Sequence, residues 1–152
     1  MKYSDQEKLL LREIQRDASL SMAELADRVG LAQSTVWRKL QELEAVGVIR
    51  QRVALLDPTK VGAGLCVFAS VSLHDHTEEA VEDLARVVGL HPQIQECYAV
   101  SGTADYVLKI RVADVAAYEA FMTHVLLRNR HVRSVVSSFG LKEIKYATAL
   151  PL

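Results

Sequence analysis

Five side chains with hydrogen-bonding heads, Gln33, Ser34, Thr35, Arg38 and Lys39, fall within two helical turns of one another. Set toward the N-terminal end of a helix, such groups have the reach to touch base edges in a major groove, and the helix terminus itself favours a nearby phosphate. Arg50 and Arg52 follow in a short alternating stretch. They suit a wing or linker strand close to phosphates, and equally a plain connector with solvated arginines. His74-Asp75-His76 could hold a metal, since residues i and i+2 of a strand point the same way, but the trio falls at a strand end where a solvated loop is expected. Cys66 and Cys97 have no CxxC spacing, and two reduced, buried thiols are expected, with thiol sensing as the other reading. No nucleophile has a paired base, no Gly-rich loop could cradle phosphate and no carboxylate pair stands out. Neither an enzyme, a cofactor nor a metal site is therefore expected.

The elements that must position these groups are legible in the apolar spacing. Asp5 to Asp17 reads as a helix with Leu9, Leu10, Leu11 and Ile14 among charged residues. Ser21 stands three residues before Glu24, the capping-box arrangement, and opens a second helix whose inward residues are Met22, Leu25, Ala26 and Val29. Gly30 supplies the turn, and a third helix runs through Val46 to Gly47 with Val36, Leu40 and Leu43 on one face. Small Ala26, Gly30 in the turn, and Leu31 with Val36 as inner seal meet the demands of a helix-turn-helix over Met22 to Gln41. An ordinary three-helix bundle with a solvated face would share much of this pattern. Trp37 lies beside the buried seam and could pack on the first helix, dock a dimer partner or touch the DNA backbone; packing is the favoured expectation. Val48 to Leu56 alternates and then turns apolar like a strand, stopped by Asp57-Pro58, and Thr59 to Gly64 reads as a hinge.

Beyond the hinge the order is βαββαβ. Leu65 to Leu73, Ile94 to Val100, Ala104 to Val112 and His131 to Phe139 read as strands, and Lys142 to Thr148 as a possible fifth extended piece. Helices run from Thr77 through Val88 and from Asp114 through Leu127, and Ser101-Gly102-Thr103 makes a tight hairpin turn. Two helices over one face of a four-stranded antiparallel sheet is the ferredoxin-like arrangement. Its open face carries apolar residues and is expected to be covered by a second subunit. The fold class is thus α+β: an N-terminal winged helix-turn-helix domain (1–50), a linker strand and hinge (51–64), and a C-terminal ferredoxin-like domain (65–152).

Composition narrows the class further. Half of the 152 residues are hydrophobic and 24% are charged, as in a soluble globular protein. Residues 1–60 hold ten Lys/Arg against nine Asp/Glu and the remainder eight against ten, so DNA binding would depend on local placement and dimerisation rather than bulk charge. No apolar run is long enough for a membrane span, and the polar start at Met1-Lys2-Tyr3 is unlike a signal peptide, so the cytoplasm is the expected compartment.

The run Ala54-Leu55-Leu56-Asp57-Pro58 between these two domains resembles the leucine-responsive regulator/AsnC family of prokaryotic transcription factors. The pieces that carry the resemblance are Val29-Gly30-Leu31, Leu43-Glu44 with Gly47-Val48-Ile49, and above all Ser101-Gly102-Thr103-Ala104-Asp105-Tyr106; Ser137-Ser138-Phe139 through Lys142-Glu143-Ile144-Lys145 adds to it. The resemblance spans essentially the whole chain. It implies a sequence-specific regulator of double-stranded DNA whose assembly or DNA affinity responds to a small molecule, an amino acid in most of the family. It implies a homodimer formed through the C-terminal sheets, assembling further to a tetramer or octamer. It also implies that Ser101, Gly102, Thr103, Asp105 and Tyr106, with Ser138 on the fourth strand, contact the effector. Backbone amides of a glycine turn can bind a carboxylate, and Asp105 could pair with an α-ammonium. Each of these residues also has a structural reading: Gly102 required by the turn, Asp105 satisfying loop amides, Tyr106 packed in the core. The competing function is an amino-acid-sensing module without direct DNA regulation, which would have no need of the N-terminal helices.

Overall fold

The computed structural model describes residues 3–152; the Met1-Lys2 start lies outside the described residues. The chain divides into two compact units, one comprising the residues up to Leu55 together with Ile144–Leu152, the other Leu56–Glu143.

The first unit is built on three helices: α1 (Asp5–Arg16), α2 (Met22–Val29) and α3 (Gln33–Ala45). Two of them start the same way. The Ser4 hydroxyl accepts from the Glu7 amide while the Glu7 carboxylate accepts from the Ser4 amide, and Ser21 and Glu24 repeat the exchange at α2. Each reciprocal pair satisfies two amides that a helix start otherwise leaves open. Gly30 ends α2 at φ 66°, in the left-handed region where a Cβ is strained, and the chain turns at once into α3. Leu10, Leu25, Val36 and Leu40 are almost fully buried at the centre, with Leu11, Ile14, Ala26, Val29 and Leu43 around them. At about 1.5–3 kcal/mol for each large aliphatic side chain removed from water, this small core holds the three helices together.

The end of the chain returns to this unit. Gln15 makes two hydrogen bonds to Leu150, its Nε2 donating to the carbonyl at 3.0 Å and its Oε1 accepting from the amide at 2.9 Å, and Arg12 Nε donates to the Leu152 carbonyl at 2.7 Å. The reading of 65–152 as one domain did not foresee these contacts, because nothing in the tail's composition marks α1 as its partner.

The second unit is a four-stranded antiparallel sheet in the order β2-β3-β1-β4, with β1 Leu65–Leu73, β2 Ile94–Ala99, β3 Tyr106–Val112 and β4 Val132–Phe139. Alternation in β1 sends Val67, Ala69, Val71 and Leu73 to one face, where they are buried with Leu108 and Ile110 of β3 beneath α4 (Glu78–Leu90) and α5 (Val115–Phe121). This is the ferredoxin-like arrangement. The helix expected through Leu127 instead leaves α geometry after Phe121 and finishes as a π-helical turn, Met122–Leu126. The opposite face presents Phe68, Tyr98 and Val136, all exposed.

Two expected strands do not form. Gln51–Leu56, the linker strand, and Lys142–Thr148, the fifth extended piece, lack strand pairing among the described residues. A strand is defined by a ladder partner, and neither segment has one among the described residues.

Candidate functional site

The recognition surface follows from which residues of α3 face inward. Val36, Leu40 and Leu43 are buried, so positions about 100° away from them point out. Gln33, Ser34 and Arg38 are exposed there, Thr35 is half-buried, and Arg50 is exposed beyond the helix. Arg38 lies along the surface, its Nη1 2.6 Å from Glu42 Oε1 one turn on, an exposed pair that a phosphate could displace at little cost. Lys39 is placed differently. Three residues after Val36 it flanks the packed face, and its Nζ meets Glu7 Oε1 of α1 at 3.1 Å with only 18% of its side chain exposed. Glu7 is held at a pKa of about 2, chiefly by the Ser4 amide and hydroxyl and then by Lys39.

Trp37, expected in the seam, is 58% exposed. A step of 100° from Val36 carries it out of the packed face, and with Gln41 it continues the outer stripe that begins at Gln33. The i, i+4, i+8 spacing of Gln33, Trp37 and Gln41 was the signal available for both. The start of α3 also differs from those of α1 and α2. Its N-cap is Ala32, with no side-chain hydrogen bond and no acid in the first turn. The Thr35 amide already meets the Ala32 carbonyl at 3.0 Å, which leaves those of Gln33 and Ser34 for an anion, the electrostatic setting in which a phosphate docks.

The turn between β2 and β3 forms the second cluster. Ser101, Gly102 and Thr103 are exposed, and Gly102 sits at φ 144°, a conformation that favours glycine. Asp105 is engaged within its own domain: Oδ2 accepts from the Leu73 amide at 2.8 Å and Oδ1 lies 2.9 Å from His76 Nε2. The Leu73 amide first, then His76, holds its carboxyl below the usual range. The His76 side chain is itself 66% exposed. The register places Tyr106 opposite Val71 on the helix-covered face, where it packs against the core, so its ring belongs to that layer. Ser138 lies opposite Phe68 on the open face. Three residues along and two strands across put it roughly 14 Å from the turn, so one chain does not bring Ser138 to the other five. Among the described residues no group of three or more His, Cys, Asp or Glu is placed to hold a metal; Asp75 of the His74-Asp75-His76 trio accepts from Thr77 instead. Both cysteines are free and half-buried, and burial pushes the Cys97 thiol up.

Residues 66–150 match the family model of the Lrp/AsnC ligand binding domain, and residues 4–50 match a winged helix-turn-helix DNA-binding model. The chain belongs to the Lrp/AsnC family of transcriptional regulators. As a family member it joins a DNA-binding domain to a ligand-binding domain, the two clusters just described lying one in each. Among its relatives is the glutamate uptake regulatory protein of Zymomonas mobilis, 36% identical over 91% of this chain and 84% of that one. The leucine-responsive regulatory protein of Escherichia coli is 35% identical over 93% of this chain and 86% of its own. A Neisseria meningitidis regulator solved in complex with L-Met superposes with a TM-score of 0.94 at 37% identity, covering 99% of this chain and 97% of that one. An AsnC-family regulator of Agrobacterium tumefaciens gives a TM-score of 0.93 at 40% identity, covering 98% and 97%. No helix among the described residues is long and apolar enough to cross a membrane.

Proposed function

We propose that this Lrp/AsnC regulator binds its operator as a dimer and senses a free amino acid at the turn between β2 and β3. Gln33, Ser34, Thr35 and Arg38, with Trp37 and Gln41, form the DNA-reading surface, Arg50 reaches a flanking phosphate, and Lys39 braces α3 against α1. The amino acid's carboxylate meets the amides and hydroxyls of Ser101, Gly102 and Thr103, while its ammonium displaces His76 from Asp105. The observation that carries this reading is the open, donor-rich turn beside a carboxylate whose second partner is exposed. The L-Met complex of the Neisseria relative supports the ligand class.

Dimerisation is supported by the exposed face bearing Phe68, Tyr98 and Val136, and by the two extended segments without ladder partners. A second copy supplies cover for the face and strands for the edges. Pairs of dimers then close over the Ser101–Tyr106 turn, which as part of one chain is open to solvent, and a neighbouring copy brings Ser138 toward it. The protein works in the cytoplasm, where its operator lies. A thermal-shift screen of the twenty amino acids, followed by mass measurement and salt-dependent DNA binding with and without each hit, tests the reading. No stabilising amino acid would refute the sensing mechanism, and equal affinity for unrelated DNA at moderate salt would refute operator recognition.

A further inference from the structure

A second cleft lies in the ligand-binding domain, away from the β2–β3 turn. It has a volume of about 470 Å³ and runs between α4 and the π-helical turn. Val87 and Val125 give it an apolar floor, Arg86, Arg128 and Arg130 give it a cationic rim, and His91 and His124 complete the lining. Asp83 is the acid among its lining residues, and its carboxylate is taken up by Arg86. Arg130 pairs outward with Glu79, while Arg128 takes part in none of the ion pairs among the described residues.

The deciding residue is Asn129. The residue lines this cleft and is only 8% exposed, and its Nδ2 is buried without a hydrogen-bond partner among the described residues. The orientation of the amide is set by chemistry. Oδ1 lies 2.9 Å from the His131 backbone N–H, a group that can only donate, so the oxygen must face it and the NH₂ must face the other way. A buried donor with no acceptor is costly, so the group calls for a partner that the chain itself does not supply. The π-helical turn that precedes it, closed by the Leu127 amide on the Met122 carbonyl at 2.9 Å, is a distortion frequent at functional sites.

We infer that this cleft binds a small organic phosphate monoester, its phosphate held by Arg128, Arg86 and the Asn129 amide and its organic body on Val87 and Val125. Guanidinium groups and an amide N–H are donors only, and together they match the several acceptor oxygens of a phosphate better than the two of a carboxylate. The cleft is far larger than inorganic phosphate requires, and the apolar floor gives the remainder something to bury. A duplex backbone is the less suited occupant, because a phosphate fixed in a DNA helix cannot reach down to a buried amide.

The test is calorimetric titration of the full chain with phenyl phosphate, beside inorganic phosphate and benzoate at matched ionic strength. The ester should bind one per chain with a Kd of about 1 mM or tighter, and inorganic phosphate and benzoate should bind more weakly. Asn129→Asp keeps the acceptor for His131 and replaces the orphan donor with a repelling oxygen; it should weaken the ester about tenfold or more. Arg128→Gln alters an exposed side chain, so it leaves the fold intact if Asn129→Asp does not, and should have a similar effect. The inference is overturned by an absence of saturable binding, by inorganic phosphate or benzoate binding as tightly as the ester, or by Arg128→Gln binding like the parent. Loss of DNA affinity in Arg128→Gln without ester binding by the parent would assign the cleft to the duplex backbone and equally overturn it. None of these outcomes bears on amino-acid sensing at the β2–β3 turn.

Discussion

Exchanging Glu7 for Gln separates the two roles of the α1 start, and its effect can be worked from the structure. The Glu7 carboxyl titrates near 2 in the folded chain rather than its ordinary 4.5. A carboxyl depressed on folding contributes stability above its unfolded pKa and loses it as pH falls toward the folded one. The full shift corresponds to about 3.4 kcal/mol. Glu7 lies at the surface and its partners are screened, so a contribution of about 1–2 kcal/mol is the realistic size. Glutamine retains an acceptor for the Ser4 amide but leaves Lys39 without its counter-ion. Urea unfolding should therefore find Glu7→Gln about 1 kcal/mol less stable at pH 7, with the difference falling to roughly half by pH 3. The same pair bears on DNA binding. A lysine that contacts phosphate contributes about 0.9 to the slope of log affinity against log salt. Anisotropy titrations across salt should show no change in that slope for Lys39→Gln and a clear reduction for Arg38→Gln. A Glu7→Gln penalty equal at pH 7 and pH 3, or a Lys39→Gln slope reduced by about 2 for two recognition helices, would refute the reasoning.

Four further outcomes follow from the same geometry. Gly30→Ala should lower stability by about 1–2 kcal/mol in urea unfolding, since the left-handed backbone at φ 66° is strained by a Cβ even though no neighbour stands within 4 Å. Asp105→Ala should lower the melting temperature at pH 7 by leaving the Leu73 amide without its acceptor. The deficit should shrink as pH falls below the ordinary carboxylate range, because the depressed Asp105 carboxyl contributes only while ionised. His76→Ala should tighten amino-acid binding by up to about fivefold in calorimetry, as an exposed pair no longer has to be displaced. If the open face pairs two copies as proposed, Phe68→Glu should give a monomer by light scattering where the parent gives a dimer, while the far-UV spectrum stays unchanged.

The sequence was most informative where a local rule and a packing rule coincide. Ser21 with Glu24, Gly30, and the Val36-Leu40-Leu43 face define the helix-turn-helix because capping, turn geometry and burial all point the same way. The alternation in Leu65–Leu73 likewise states which face is buried. Size and apolarity favour packing for Trp37, but its angle from Val36 carries it out of the buried face. The linker and the Lys142–Thr148 piece have strand-like composition, but composition cannot supply a ladder partner. Asp105 and Lys39 were recognisable as chemically able; that each already holds a partner, His76 and Glu7, depends on contacts 29 and 32 residues away. The π-helical turn left no mark that helical periodicity could read, since Met122–Leu126 has ordinary helix-forming residues. The expected effector cluster was legible as a turn, yet Ser138 belongs to another part of the sheet because register is a property of pairing.

The Gln15–Leu150 contact joins positions 135 residues apart. At a synthesis rate of roughly 5–20 residues per second, α1 leaves the ribosome many seconds before the segment that docks on it. The DNA-binding unit can form its helical core early, but the face of α1 that Leu150 and Leu152 cover stays bare until they emerge. A chain whose synthesis stalls before Leu150 presents that face uncovered, which gives a chaperone or quality-control protease a mark to read. For the same reason removing Leu150–Leu152 leaves Arg12 and Gln15 without these partners, and operator binding is best measured with that segment kept.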